Sequence, residues 1–232
     1  MTLAARCGSK LEHPEWEKLV KLLTLHYSYP LRYPLAGAYF EELFAEAVGG
    51  NREERKLLFD VLRGPTGWSL KTLLRATPAS AAGFEVVLQR CDILRDRNLS
   101  LSDSPEKLGD HILAHFNAFC ERAIEVQQVD DPRAAFLIRN RPERRFVFFQ
   151  QQYELYAPGQ LTWQWANDER RSLLAFAEGR LVFRWYRSGT QLFGVYAIPA
   201  DAAEFEIDWH RADLDETVEF FKRGARNSRR RG

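Results

Sequence analysis

The sequence predicts a mixed α/β protein, helix-led over its first 140 residues and rich in short strands after them. Three observations predict it. Apolar residues recur at helical spacing in segments before residue 127, β-branched and aromatic stretches dominate from Arg145 onward, and a 232-residue chain that is 45% hydrophobic and 13% aromatic can bury a substantial core.

In chain order, residues 14–27 have helical spacing with Pro14 near the first turn, and Pro30 and Pro34 break the chain after them. A second helix is expected over 35–48, where Tyr39, Leu43 and Ala47 share a face beside Phe40 and Phe44, and Gly49-Gly50 ends it. Asn51 can cap a third, short helix through Glu53, Glu54 and Leu57. Two apolar stretches, 57–62 and 68–70, flank Arg63-Gly64-Pro65-Thr66-Gly67 and read as a hairpin. Residues 84–90 read as a third strand. Ser104-Pro105 opens a long helix to about residue 126, with a stripe of Leu108, Ile112, Phe116, Phe119 and Ala123. Residues 134–139 read as a fourth strand. The resulting order is helix, three strands, helix, strand. Beyond it, strands are expected at 146–151, 161–165, 173–177, 180–186, 191–198 and 205–209, with Arg187-Ser-Gly-Thr as a hairpin tip and a last helix at 214–221.

No apolar run approaches the roughly 18 residues that span a bilayer, and the N-terminus has no apolar signal region. Cys7, Cys91 and Cys120 are widely spaced, which fits reduced thiols in a cytoplasm and not a structural zinc site. The net charge is only +1, but its distribution is uneven. Arginines cluster between residues 132 and 187, and again in the acid-free tail after Phe221. Guanidinium forks suit phosphates and guanine edges, so a nucleic acid is the expected partner.

The chemistry is expected at the hairpin. If it forms, the Asp60 carboxylate and the Lys71 amine lie on adjacent antiparallel strands. Carboxylates beside a lysine at a strand end suit phosphodiester hydrolysis: the carboxylates hold Mg²⁺ and the ammonium stabilises charge or orients the attacking water. Other signals are weaker. His111 and His115 stand at i, i+4 without a third ligand, which reads as a polar helix edge. Gly64-x-x-Gly67 reads as a turn, and the aromatics around Trp163, Trp165 and 183–186 read as sheet packing before base stacking.

This element order, with Asp60 and then Ser69-Leu70-Lys71, resembles the PD-(D/E)XK nuclease superfamily and, within it, the type II restriction endonucleases. The resemblance covers residues 35–140 and implies a restriction-endonuclease-like αβββαβ core, with the catalytic Asp ending one strand and an acid-x-Lys on the next. Serine stands where the family has Asp or Glu, as in a subgroup that recruits a glutamate from further along the chain. Glu85 is the first candidate for that role. Glu41, in a Gly37-Ala-Tyr-Phe-Glu41-Glu42 helix that resembles another family motif, is the second.

The resemblance thus implies a cytoplasmic, Mg²⁺-dependent endonuclease that cuts double-stranded DNA at a short palindromic sequence, with a homodimer as the default assembly. Residues 1–140 would hold the helical N-terminus and nuclease core. Residues 141–232 would complete the core, read DNA and carry the basic tail. Arg184, Arg187 and Gln191 are the expected reading residues, and Arg139, Arg141, Arg144 and Arg145 the expected phosphate contacts. The alternatives are a DNA- or RNA-binding protein that does not cleave, with Ser69 marking a lost site, and a repair or defence nuclease without strict specificity.

Overall fold

The computed structural model describes residues 10–29, 35–54, 57–75, 83–93, 99–140, 144–208, 213 and 215. Helix α1 (His13–Ser28) has proline in its first turn and buries Leu19, Leu23 and Tyr27 at i, i+4 steps. Helix α2 (Gly37–Val48) buries Phe40, Phe44, Ala47 and Val48, so its inner face is turned from the one expected, and Tyr39 is exposed.

Gly49 ends α2 in the left-handed region (φ 65°). Gly50 then passes so close to the next hairpin that a Cβ would lie 2.8 Å from the Leu62 carbonyl oxygen. That approach gives Asn51 and Arg52 a strand partner, so they form β1 (Asn51–Arg52) where a short helix was expected.

The hairpin forms as read. Strand β2 (Val61–Arg63) and β3 (Thr66–Arg75) pair antiparallel across Gly64-Pro65, with Gly64 at φ 54°. Helix α3 (Pro105–Gln127) starts where Ser104 accepts a hydrogen bond from the Lys107 N–H, and it delivers the chain to β5 (Asp131–Asn140), parallel to β3. Strand β6 (Arg145–Gln152) returns beside β5, and β11 (Ala203–Glu206) lies at the edge. These strands make a six-stranded mixed sheet in the order β1-β2-β3-β5-β6-β11.

A second, five-stranded antiparallel sheet has the order β4-β10-β9-β8-β7. Its members are β4 (Phe84–Arg90), β7 (Thr162–Trp165), β8 (Ser172–Ala177), β9 (Arg180–Tyr186) and β10 (Gln191–Tyr196). The strand expected as third in the first sheet, β4, belongs here. Strand β3 stands between β2, which pairs with its first three residues, and β5, and β4 pairs with β10 in the other sheet. Each sheet therefore mixes strands from before and after residue 140. The expected helix at 214–221 and the basic tail lie outside the described residues.

The first sheet is covered on both faces, and alternation along its strands sorts the core in two. Trp68, Leu70, Ala135, Leu137, Phe146 and Phe148 face α1 and α2. Ala134, Phe136, Ile138, Val147 and Phe149 face α3 and the second sheet. Burial on both faces explains the unbroken apolar runs of β5 and β6. Among the described residues no helix is long and apolar enough to cross a membrane.

Candidate functional site

Asp60 stands one step before β2, opposite Ser69 by extension of the Val61–Trp68 register. Its N–H donates to the Trp68 carbonyl at 2.8 Å, and its carbonyl accepts from the Glu53 N–H at 2.8 Å. Its side chain turns onto the neighbouring strand, where Oδ2 accepts the Leu70 N–H at 2.6 Å. The carboxylate is thus fixed against the backbone one residue from Lys71. Burial raises the Asp60 pKa above the usual aspartate value. The Leu70 N–H and the Lys71 and Arg52 charges oppose that rise, and Glu41 adds to it.

Lys71 is close enough to act on Asp60 electrostatically, yet among the described residues neither group belongs to an ion pair. A carboxylate whose pKa is raised by burial, with a lysine acting on it and no ion pair between them, marks a candidate functional position. Ser69 is buried, and its hydroxyl is no substitute for a metal-binding carboxylate.

The two expected glutamates fall in different places. Glu41 on α2 is near enough to raise the Asp60 pKa. It also accepts from Arg52 Nε at 3.0 Å, while Arg52 Nη1 donates to Glu42 at 3.3 Å. Glu85, the first candidate, lies on β4 in the other sheet. There Oε1 pairs with Arg184 Nη1 at 3.0 Å and Oε2 accepts from Tyr186 Oη at 2.9 Å. The fold leaves Glu41 within electrostatic reach of Asp60 and commits Glu85 elsewhere, because β4 lies in the other sheet.

Among the described residues no three His, Cys, Asp or Glu side chains converge into a metal-binding group. Asp60 and Glu41 are the carboxylates here that could hold Mg²⁺, an ion commonly bound by one or two carboxylates plus water and substrate phosphate. His111 and His115 are exposed on α3. Burial pushes the Cys91 and Cys120 thiols up to about 12, too high for a nucleophile near neutral pH. Cys7 lies outside the described residues.

The arginines divide as well. Arg139, expected as a phosphate contact, is buried on β5. Arg141 lies outside the described residues. Arg144 is exposed, and Arg145 is exposed but paired with Glu206 at 2.5 Å. Arg184 is held by Glu85 and Tyr186. Arg187 is exposed in the β9–β10 turn, with Gln191 half-buried at the start of β10.

Two residues near the site were not anticipated. Arg52 has no motif around it and is placed only by the turn at Gly49-Gly50. Gln127 hydrogen-bonds to the Phe59 backbone, and its signal was available: it continues the Phe116–Cys120–Ala123 side of α3 as a polar residue on an apolar face. No protein-family model, curated protein or solved structure matches the chain.

Proposed function

We propose that the chain is a Mg²⁺-dependent endonuclease that cuts double-stranded DNA at a short specific sequence, as a homodimer in the cytoplasm. The observation that carries the reading is the Asp60 carboxylate, its pKa raised by burial, beside a Lys71 ammonium with which it makes no ion pair. The surrounding order supports it. In chain order helix α2, strands β1 to β4, helix α3 and β5 follow one another; β1, β2, β3 and β5 share one sheet, which supports the resemblance, while β4, the strand expected third, joins the other sheet.

Asp60 and Glu41 are the residues that would hold Mg²⁺. When bound, the ion would lower the pKa of an attacking water and neutralise phosphate charge. Lys71 would donate to a non-bridging phosphate oxygen and steady the charge that builds up there. The Leu70 N–H holds the Asp60 carboxylate still while it does so. Arg187 at its exposed turn and Gln191 beside it have the donors and acceptors to read base edges, and Arg144 and Arg145, both exposed and the latter paired with Glu206, would contact the phosphate backbone.

Three observations favour a second reading, a nucleic-acid-binding protein that does not cleave. Ser69 supplies no carboxylate, Glu85 is committed to Arg184, and Arg52 occupies one oxygen of Glu41. Plasmid DNA incubated with the protein and Mg²⁺, or with EDTA, separates the two. Cleavage only with Mg²⁺ supports the enzyme, and binding without cleavage supports the alternative. Discrete bands indicate sequence specificity, and a smear indicates a non-specific nuclease.

A further inference from the structure

Immediately before Asp60, the backbone is held by a side chain where a strand partner would otherwise be. The Phe59 N–H donates to Gln127 Oε1 at 3.3 Å, and Gln127 Nε2 donates to the Phe59 carbonyl at 3.0 Å. One residue exchanging both its N–H and C=O with a single amide is the pattern of an antiparallel strand pair. The Gln127 amide therefore takes the part of a neighbouring strand for one residue.

Gln127 is well anchored for this. It is buried at the last position of α3, and the next residue, Gln128, turns left-handed at φ 54°. The Val129 N–H donates back to the Ile124 carbonyl at 3.0 Å, and the Asp130 and Asp131 N–H groups both reach the Pro65 carbonyl in the hairpin turn. The end of α3 thus grips the hairpin at two points, Phe59 and Pro65. The Phe59 ring is pressed on Gly67, where a Cβ would lie 2.9 Å from the ring.

We infer that Gln127 is a positioning residue for the Asp60 carboxylate. It sets the direction in which the chain enters Asp60, and so where Oδ2 meets the Leu70 N–H and where the rest of the carboxylate points. The inference rests on reading Asp60 as a Mg²⁺ ligand. A purely structural amide would affect stability alone. A positioning amide also affects the metal and the chemical step, because misplacing a reacting group by about 1 Å costs on the order of 10²-fold.

The test compares wild type with Gln127→Met, which has similar length and cannot hydrogen-bond, and with Gln127→Glu, which keeps only the acceptor. Ile112→Val, a buried change elsewhere on α3, is the stability control. Each protein is melted with and without MgCl₂ and titrated with MgCl₂ by calorimetry. DNA binding in EDTA and single-turnover plasmid cleavage are then measured. Gln127→Met is expected to weaken Mg²⁺ about tenfold and slow cleavage on the order of 10²-fold, with DNA binding in EDTA unchanged. Gln127→Glu should fall between it and wild type, and it carries the comparison if the Met variant does not fold. Gln127 variants that track Ile112→Val in Mg²⁺ affinity and rate, while wild type binds Mg²⁺ and cleaves, overturn the positioning role alone. A wild type that neither binds Mg²⁺ nor cleaves overturns it together with the reading of Asp60.

Discussion

Each sheet carries a carboxylate beside a cation, and the two arrangements differ in what they leave open. On the second sheet, Glu85 is answered at both oxygens, by Arg184 and by Tyr186. On the first, Asp60 has one oxygen on the Leu70 N–H and makes no ion pair with Lys71 among the described residues. Burial with so little compensation pushes the Asp60 pKa up, whereas Glu85 sits in a closed pair that stabilises its own sheet. Folding alone favours the Glu85 solution, because a part-buried carboxylate without a charge partner costs free energy. The comparison teaches where to look for function: at the acid the fold has left incomplete.

The largest expected effect comes from breaking the open arrangement. Asp60→Asn should reduce Mg²⁺-dependent cleavage by about 10³-fold, since a metal contact contributes several kcal/mol at about 1.4 kcal/mol per tenfold. Asn still accepts the Leu70 N–H, so the hairpin should persist. The same variant sharpens the comparison through stability. Because the folded pKa of Asp60 lies above its unfolded value, the folded chain binds that proton more tightly. The resulting stabilisation is complete below the ordinary aspartate pKa and is lost as pH rises through the raised value. Metal-free melts from pH 4 to pH 7 should therefore show wild type losing ground to Asp60→Asn as pH rises. A wild type that gains on the variant over that window would mean Asp60 is paired after all.

Lys71→Ala should slow the chemical step on the order of 10²-fold with DNA affinity nearly unchanged, because one preorganised donor is removed from the developing charge. Rates and binding measured separately decide it, and equal losses in both would make Lys71 a binding residue. Arg187→Ala should cost roughly 1–3 kcal/mol on the specific site and little on random DNA, as a base contact does. Competition binding on the two kinds of DNA reads that difference directly. Glu85→Ala should have the smallest effect on cleavage, within about threefold, and should instead lower stability by about 1 kcal/mol in thermal melts, as breaking a half-exposed ion pair does.

Much of the fold was legible because its signals are local. Pro14, Ser104-Pro105 and the stripe Leu108–Ile112–Phe116 mark helices through capping and periodicity, and Gly64-Pro65 marks the hairpin that carries Asp60 and Lys71. Sheet membership was not legible. Phe84–Arg90 is β-rich in sequence, but its partner, β10, lies about a hundred residues further on, and nothing near β4 shows that it pairs there and not with β3. That single long-range fact moved Glu85 away from the hairpin, leaving Glu41 as the expected glutamate within electrostatic reach of Asp60. Asn51 looked like a helix cap because Asn commonly is one. The close approach of Gly50 to Leu62, which makes it a strand, is a tertiary contact. Arg139 read as surface because arginine usually is, yet it lies on a strand buried on both faces.

The comparison between the two acids is tested most directly by plasmid cleavage in Mg²⁺, with EDTA controls, for wild type, Glu41→Ala and Glu85→Ala side by side. The account predicts that wild type cuts to discrete bands only with Mg²⁺, that Glu85→Ala cuts within about threefold of it, and that Glu41→Ala is impaired about tenfold or more, as loss of a metal-holding carboxylate requires. A dead Glu85→Ala beside a normal Glu41→Ala, or a wild type that does not cut, would contradict it.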